Sequence, residues 1–87
     1  MDVSKFQWSP LKNQRLKMTR GVSFEEILEA KLIQVAPHPK REGQELMLFE
    51  YKGQVWVVPS ISNSDGIFLK TLYPSRTYTR RYKRGGL

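Results

Sequence analysis

The spacing of apolar positions changes once along this chain, near residue 31, and divides it into a helical part and a strand part. Before that point the clearest pattern is Phe24, Ile27 and Leu28 at i, i+3 and i+4, a stripe that faces a core only on a helix. Ser23-Phe24-Glu25-Glu26 places a capping box at its start. Upstream, Ser9 reads as an N-cap with Pro10 at the first helical position, where its missing N–H costs nothing. That spelling predicts a helix through about Arg20, stopped by Gly21. Its stripe is thin: Leu11 and Met18 share a face and Leu16 sits off it. Phe6-Gln7-Trp8 precedes it as a short strand candidate.

After residue 31 the apolar residues come in short runs bounded by proline, glycine and polar turns, the punctuation of strands. Leu32–Ala36 is the first, closed by Pro37-His38-Pro39. Lys40-Arg41-Glu42-Gly43 turns the chain into Glu45–Tyr51. Lys52-Gly53 is a two-residue hairpin signal. Gln54–Val58 is apolar on both faces, which suits a central strand covered by helix, and Pro59 is expected to end it. Asn63–Gly66 makes a second turn and Ile67–Tyr73 the last strand, with Pro74 expected to stop pairing. Ser75 caps a short helix from Arg76 to about Lys83, and Lys83–Leu87 reads as a frayed tail. Helices followed by strands predict an α+β fold, two N-terminal helices packed on an antiparallel meander with a short C-terminal helix.

Length and charge sharpen this. Residues 1–87 make one small domain, near the size where a single core only just supplies stability. No cysteine is present, and His38 is the single histidine, so disulfide frameworks, thiolate metal sites and histidine-rich zinc sites are not expected. No run approaches the ~20 apolar residues of a membrane helix, and Met1–Phe6 lacks the apolar core of a secretory signal. The expectation is a cytoplasmic protein without cofactor or metal. The net charge of +7 argues for an acidic partner. Six basic residues and no acid follow Asp65, while Gly21–Asp65 holds seven of the eight acids. The first twenty positions carry Lys5, Lys12, Arg15, Lys17 and Arg20 against Asp2 alone, so termini packed side by side would build one strongly cationic face.

The candidate chemistry lies in those basic segments. Arg76, Arg80 and Arg81 can clamp a phosphodiester and stabilise charge developing on it, or form a solvated helix face; the missing acids favour binding. Lys70 interrupts an apolar strand on the face shared with Phe68 and Leu72, and either snorkels at an edge or points into a cleft. His38 is a general acid or base, a phosphate donor, or an exposed turn histidine. Tyr73, Tyr78 and Tyr82 either stack on bases or pack half-buried with a wet hydroxyl. No phosphate loop, nucleophile elbow or paired-carboxylate motif is present. The remaining inventory suits RNA cleavage by the substrate's own 2′-hydroxyl, which needs alignment and charge neutralisation from the protein but no metal.

Trp8-Ser9-Pro10-Leu11-Lys12 followed by Gly21-Val22-Ser23-Phe24-Glu25-Glu26 resembles the opening of BrnT-type toxins of bacterial toxin–antitoxin systems. His38-Pro39 with Gly43-Gln44, Val57-Val58-Pro59, and Phe68-Leu69-Lys70-Thr71 leading to Pro74-Ser75-Arg76, Thr79 and Tyr82 are similar to a branch of that family. The resemblance implies a RelE-like fold, a ribonuclease that halts translation, and neutralisation by a cognate antitoxin, often of the ribbon-helix-helix DNA-binding type. Lys12, Ser75, Arg76 and Tyr82 match the family pattern. Ser9 stands for the family's Asp, Thr19 and Arg20 for its Lys-His, and Leu16 where Asn is common. The candidate catalytic set is Arg76, His38 and Tyr82; the candidate RNA contacts are Lys12, Lys70, Ser75, Arg80 and Arg81. Two other readings stand beside it: a non-catalytic RNA- or DNA-binding module, and a ParE-like toxin aimed at gyrase.

Overall fold

The two halves of the pattern become two kinds of layer. In the computed structural model, which describes residues 3–87, the order is β1 (Phe6–Gln7), α1 (Pro10–Arg20), α2 (Phe24–Leu28), β2 (Lys31–Pro37), β3 (Glu45–Tyr51), β4 (Gln54–Asn63), β5 (Gly66–Leu69), β6 (Tyr73–Ser75) and α3 (Arg76–Lys83). Asp2, counted above against the N-terminal bases, lies outside the described residues. The fold is α+β, with a six-stranded sheet ordered β1-β5-β4-β3-β2 and β6 also paired to β4. It is mixed rather than a pure antiparallel meander, because β1 runs parallel to β5, Phe6 opposite Ile67. Gly66 admits that edge strand: a Cβ there would collide with the Lys5 carbonyl, and its φ of 138° disfavours other residues.

β3 and β4 are buried on both faces, and their alternation defines two cores. Met47, Phe49, Trp56 and Val58 face α1 and α2, meeting Leu16, Phe24, Ile27 and Leu28. Leu46, Leu48, Val55 and Val57 face α3, meeting Tyr78 and Tyr82. The termini therefore pack on opposite faces, and the basic residues of α1 and α3 do not merge into one surface. The stripe read on α1 is reversed: Leu16 is 3% exposed, whereas Leu11 and Met18 are 56% and 81% exposed. One well-placed leucine suffices to seat α1, because Asn13 and Lys17 bind α2 from the same helix.

Neither Pro59 nor Pro74 stops pairing. β4 runs through Pro59, which lies opposite Leu46, and on to Asn63. The Pro59 carbonyl accepts the Lys70 N–H at 2.9 Å, so its missing donor points to the same side, where the neighbouring ladder is interrupted. Pro74 pairs opposite Trp56 on a strand at the edge, where a lost N–H is tolerated. The run read as one last strand is two, β5 and β6, separated by Lys70-Thr71-Leu72. The break shifts the phase, so Leu69 and Leu72 both enter the α1–α2 core rather than Leu72 sharing a face with Lys70. The C-terminus is tied down as well. Gly85 and Gly86 donate to the Tyr82 and Arg81 carbonyls, and Leu87 packs against the α3-side core.

Candidate nucleic-acid interface

The break between β5 and β6 and the turn before β3 meet on the α3 side of the sheet. Pro59 alternates with Val57, and Tyr73 lies opposite Val57, so both project to the face that α3 covers. There His38, Arg41, Gln44, Lys70, Thr71 and Tyr73 line, with Pro59, a pocket of about 260 Å³. His38 is fixed in it by its own turn: Nδ1 accepts the backbone N–H groups of Lys40 and Arg41, each at 3.0 Å. With Nδ1 used as an acceptor, the ring's proton sits on Nε2, which leaves His38 a hydrogen-bond donor. Lys70 is one of the residues that line this cleft.

A second concavity opens where β4 and α3 begin. Gln54, Arg76, Thr79 and Arg80 line it; Arg76 and Arg80, at i and i+4, lie on one side of the helix. Ser75 starts α3: its hydroxyl accepts the Tyr78 N–H at 3.1 Å. Thr79 ties that turn to the sheet, donating to the Ser75 carbonyl at 2.5 Å and accepting from the Val55 N–H at 2.9 Å. The arginines therefore stand on a rigid mount.

The predicted set is thus divided rather than gathered. His38 and Lys70 share one pocket, Arg76 and Arg80 the other, and exposed Tyr73 on β6 lies between them. Tyr82 belongs to neither. It packs half-buried under α3, donates to Glu50 Oε1 at 3.1 Å and accepts from Lys31 Nζ at 3.4 Å. Arg81 lies over the Tyr78 ring, 5.5 Å from its centroid. Lys12 is exposed on α1, across the sheet. Arg20 crosses to the break instead, donating to the Leu72 carbonyl. Arg41 and Gln54 were not singled out from sequence. Arg41 read as turn filler, and its signal was its place three residues after His38 in a glycine-closed turn.

No protein-family model, curated protein or solved structure matches this chain. Among the described residues no helix is long and apolar enough to cross a membrane.

Proposed function

We propose that this protein is an RNA-cleaving toxin of the RelE/BrnT kind, with a RelE-like fold, held inactive by a cognate antitoxin. The observation that carries the reading is a pair of cationic pockets on the α3 side of the sheet, one holding His38, Arg41 and Lys70 beside exposed Tyr73, the other Arg76 and Arg80. Of the acids on the central strands, Glu45 alternates to the other face and Glu50 is held by Tyr82, so neither neutralises this surface. The sequence resemblance supplies the toxin role and the antitoxin, expected to be of the ribbon-helix-helix type. Fixed guanidinium and ammonium groups can bind the ribose-phosphate chain and neutralise the phosphorane formed when the 2′-hydroxyl attacks. Arg76 is assigned to that phosphate.

The test is expression of Arg76→Ala in bacteria beside an assay of purified protein on RNA. Losing one charged donor to the transition state should slow cleavage about a hundredfold and relieve growth arrest. Unchanged toxicity in a soluble variant would remove Arg76 from the site. One observation favours a second reading, a non-catalytic RNA-binding module. The Tyr82 hydroxyl and His38 Nδ1 are both engaged within the fold, which leaves few groups to move a proton. Intact RNA after prolonged incubation with tightly bound protein would select it.

A further inference from the structure

The pocket at the β5–β6 break has a property that Arg76 and Arg80 lack: its polar groups come from two separate stretches of chain, and His38 is oriented by its own turn. His38 and Arg41 belong to the turn after β2, Lys70 to the break, and Tyr73 to β6. The geometry points to this pocket as a phosphate subsite for single-stranded RNA, with His38 Nε2–H, Arg41 and Lys70 on the phosphate and the Tyr73 ring under the adjoining base. The inference rests on the RNA-binding part of the function proposed above and not on cleavage.

Three features argue for a phosphodiester over a carboxylate or a metal. The polar lining carries cations, amide and hydroxyl groups and no carboxylate, so a metal has no anionic ligand there. A phosphate group accepts from several directions at once, which matches donors arriving from separate segments. An exposed aromatic at the rim adds a platform that an unstacked base uses and an inorganic ion does not. Tyr73 opens β6 and Arg76 follows its last residue, about 10 Å on at ~3.3 Å per residue, a span that a short stretch of single strand bridges. One strand can therefore run along β6, held at the His38 pocket and again at Arg76 and Arg80.

Arg41 is the discriminating residue, since it is exposed in a turn and its side chain supports no core contact. The experiment titrates ¹⁵N-labelled protein with a 2′-O-methyl pentanucleotide, which cannot be cleaved, and separately with inorganic phosphate and a glutamate-rich peptide of equal charge. The pentanucleotide should shift the amides of His38, Lys40, Arg41 and residues 70–73 together with Arg76, and phosphate should act far more weakly. Arg41→Ala should weaken pentanucleotide binding about tenfold, the worth of one hydrogen bond to a charged group. It should also flatten the dependence of log K on log salt by about 0.7, one phosphate contact to a single strand.

Two substitutions separate the histidine's tasks. His38→Asn keeps an acceptor near Nδ1 for the turn but removes the Nε2 donor, so the fold should hold while binding falls. His38→Gln supplies a donor near Nε2 but abandons the turn, and should retain more affinity than Asn. Tyr73→Phe should bind like the parent and Tyr73→Ala several-fold more weakly. Silence at His38, Lys40, Arg41 and residues 70–73 would overturn the subsite, even if Arg76 responds and RNA is cleaved. So would equal shifts with phosphate alone, or tighter binding of the peptide at this pocket. Shifts at the pocket with RNA left intact would sustain the subsite while removing the ribonuclease.

Discussion

On the α1–α2 side of the sheet, polar groups are used to join elements. Asn13 accepts the Phe24 N–H at 2.7 Å, and Lys17 reaches the Glu26 carboxylate at 2.8 Å. Ser23 and Glu26 complete their capping box. On the α3 side the helix is joined to the sheet mainly by Thr79, Tyr78 and Tyr82, and Arg76 and Arg80 face a concavity instead. The difference teaches where to look for function in a small basic domain. Cations with acids beside them stabilise the fold, and cations held rigidly without acids are left for something outside it. Charge totals alone would have ranked α1 and α3 equally.

The comparison breaks most visibly through the core. Phe24 is fully buried on the α1–α2 side, and Phe24→Ala should destabilise the fold by about 3–5 kcal/mol in urea unfolding. Arg80→Ala, exposed on α3, should leave stability within ~0.5 kcal/mol while lowering RNA affinity. Equal losses of stability in the two variants would mean that the arginines brace the helix.

The sheet edge comes next. Gly66→Ala combines a strained φ with a collision against the Lys5 carbonyl, and should cost about 1–3 kcal/mol. Hydrogen exchange should accelerate at Phe6 and Gln7 while β3 stays protected. Unchanged exchange at β1 would show that the parallel pairing does not depend on a bare glycine.

Much of this architecture was legible because it is spelled locally. Ser9-Pro10 and Gly21 bound α1, the capping box starts α2, Lys52-Gly53 turns the hairpin with both residues at positive φ, and the doubly apolar β4 is central. What escaped depends on partners distant in sequence. Pro59 and Pro74 look like stops until one knows that their missing N–H groups fall at an interruption and an edge. Leu16 looks misplaced on α1 until the Asn13 and Lys17 contacts set the helix's rotation. The site was half legible. Basic residues could be picked by type, but the β5–β6 break was marked only by Lys70 within an apolar run, and the division into two pockets was not legible. The hydrogen bond from Tyr82 to Glu50, 32 positions away, was equally hidden from any local pattern.

Two N-caps, one on each side, sharpen the contrast at about 1 kcal/mol. Ser23→Ala and Ser75→Ala should each lose that much stability, since each hydroxyl accepts an amide N–H three residues on. Ser75→Asp preserves the cap but sets a negative charge beside Arg76. It should keep the melting temperature and weaken RNA binding, whereas Ser23→Asp, which sets a second carboxylate beside Glu26, should lower the melting temperature and leave RNA binding unchanged. A Ser75→Asp variant that binds RNA normally would move the phosphate path away from the start of α3.

The smallest effect belongs to the α1–α2 side and changes with pH only in acid. The Glu26 carboxyl is held down from its ordinary value of 4.5 to about 2, first by the hydrogen bond from Lys17, then by the Ser23 backbone N–H and hydroxyl. A carboxyl lowered by folding stabilises the native state above its unfolded value, and that contribution drains away as pH falls through the folded one. The window is therefore pH 4.5 down to about 2. Glu26→Gln has nothing to protonate, so its melting temperature should lie below the parent's at neutral pH and converge with it across that window. Other carboxyls titrate there too, which is why the difference between the two proteins is the readout. Parallel curves would mean that Lys17 and Ser23 hold a glutamine as well as a carboxylate, and that charge contributes nothing to the joint between α1 and α2.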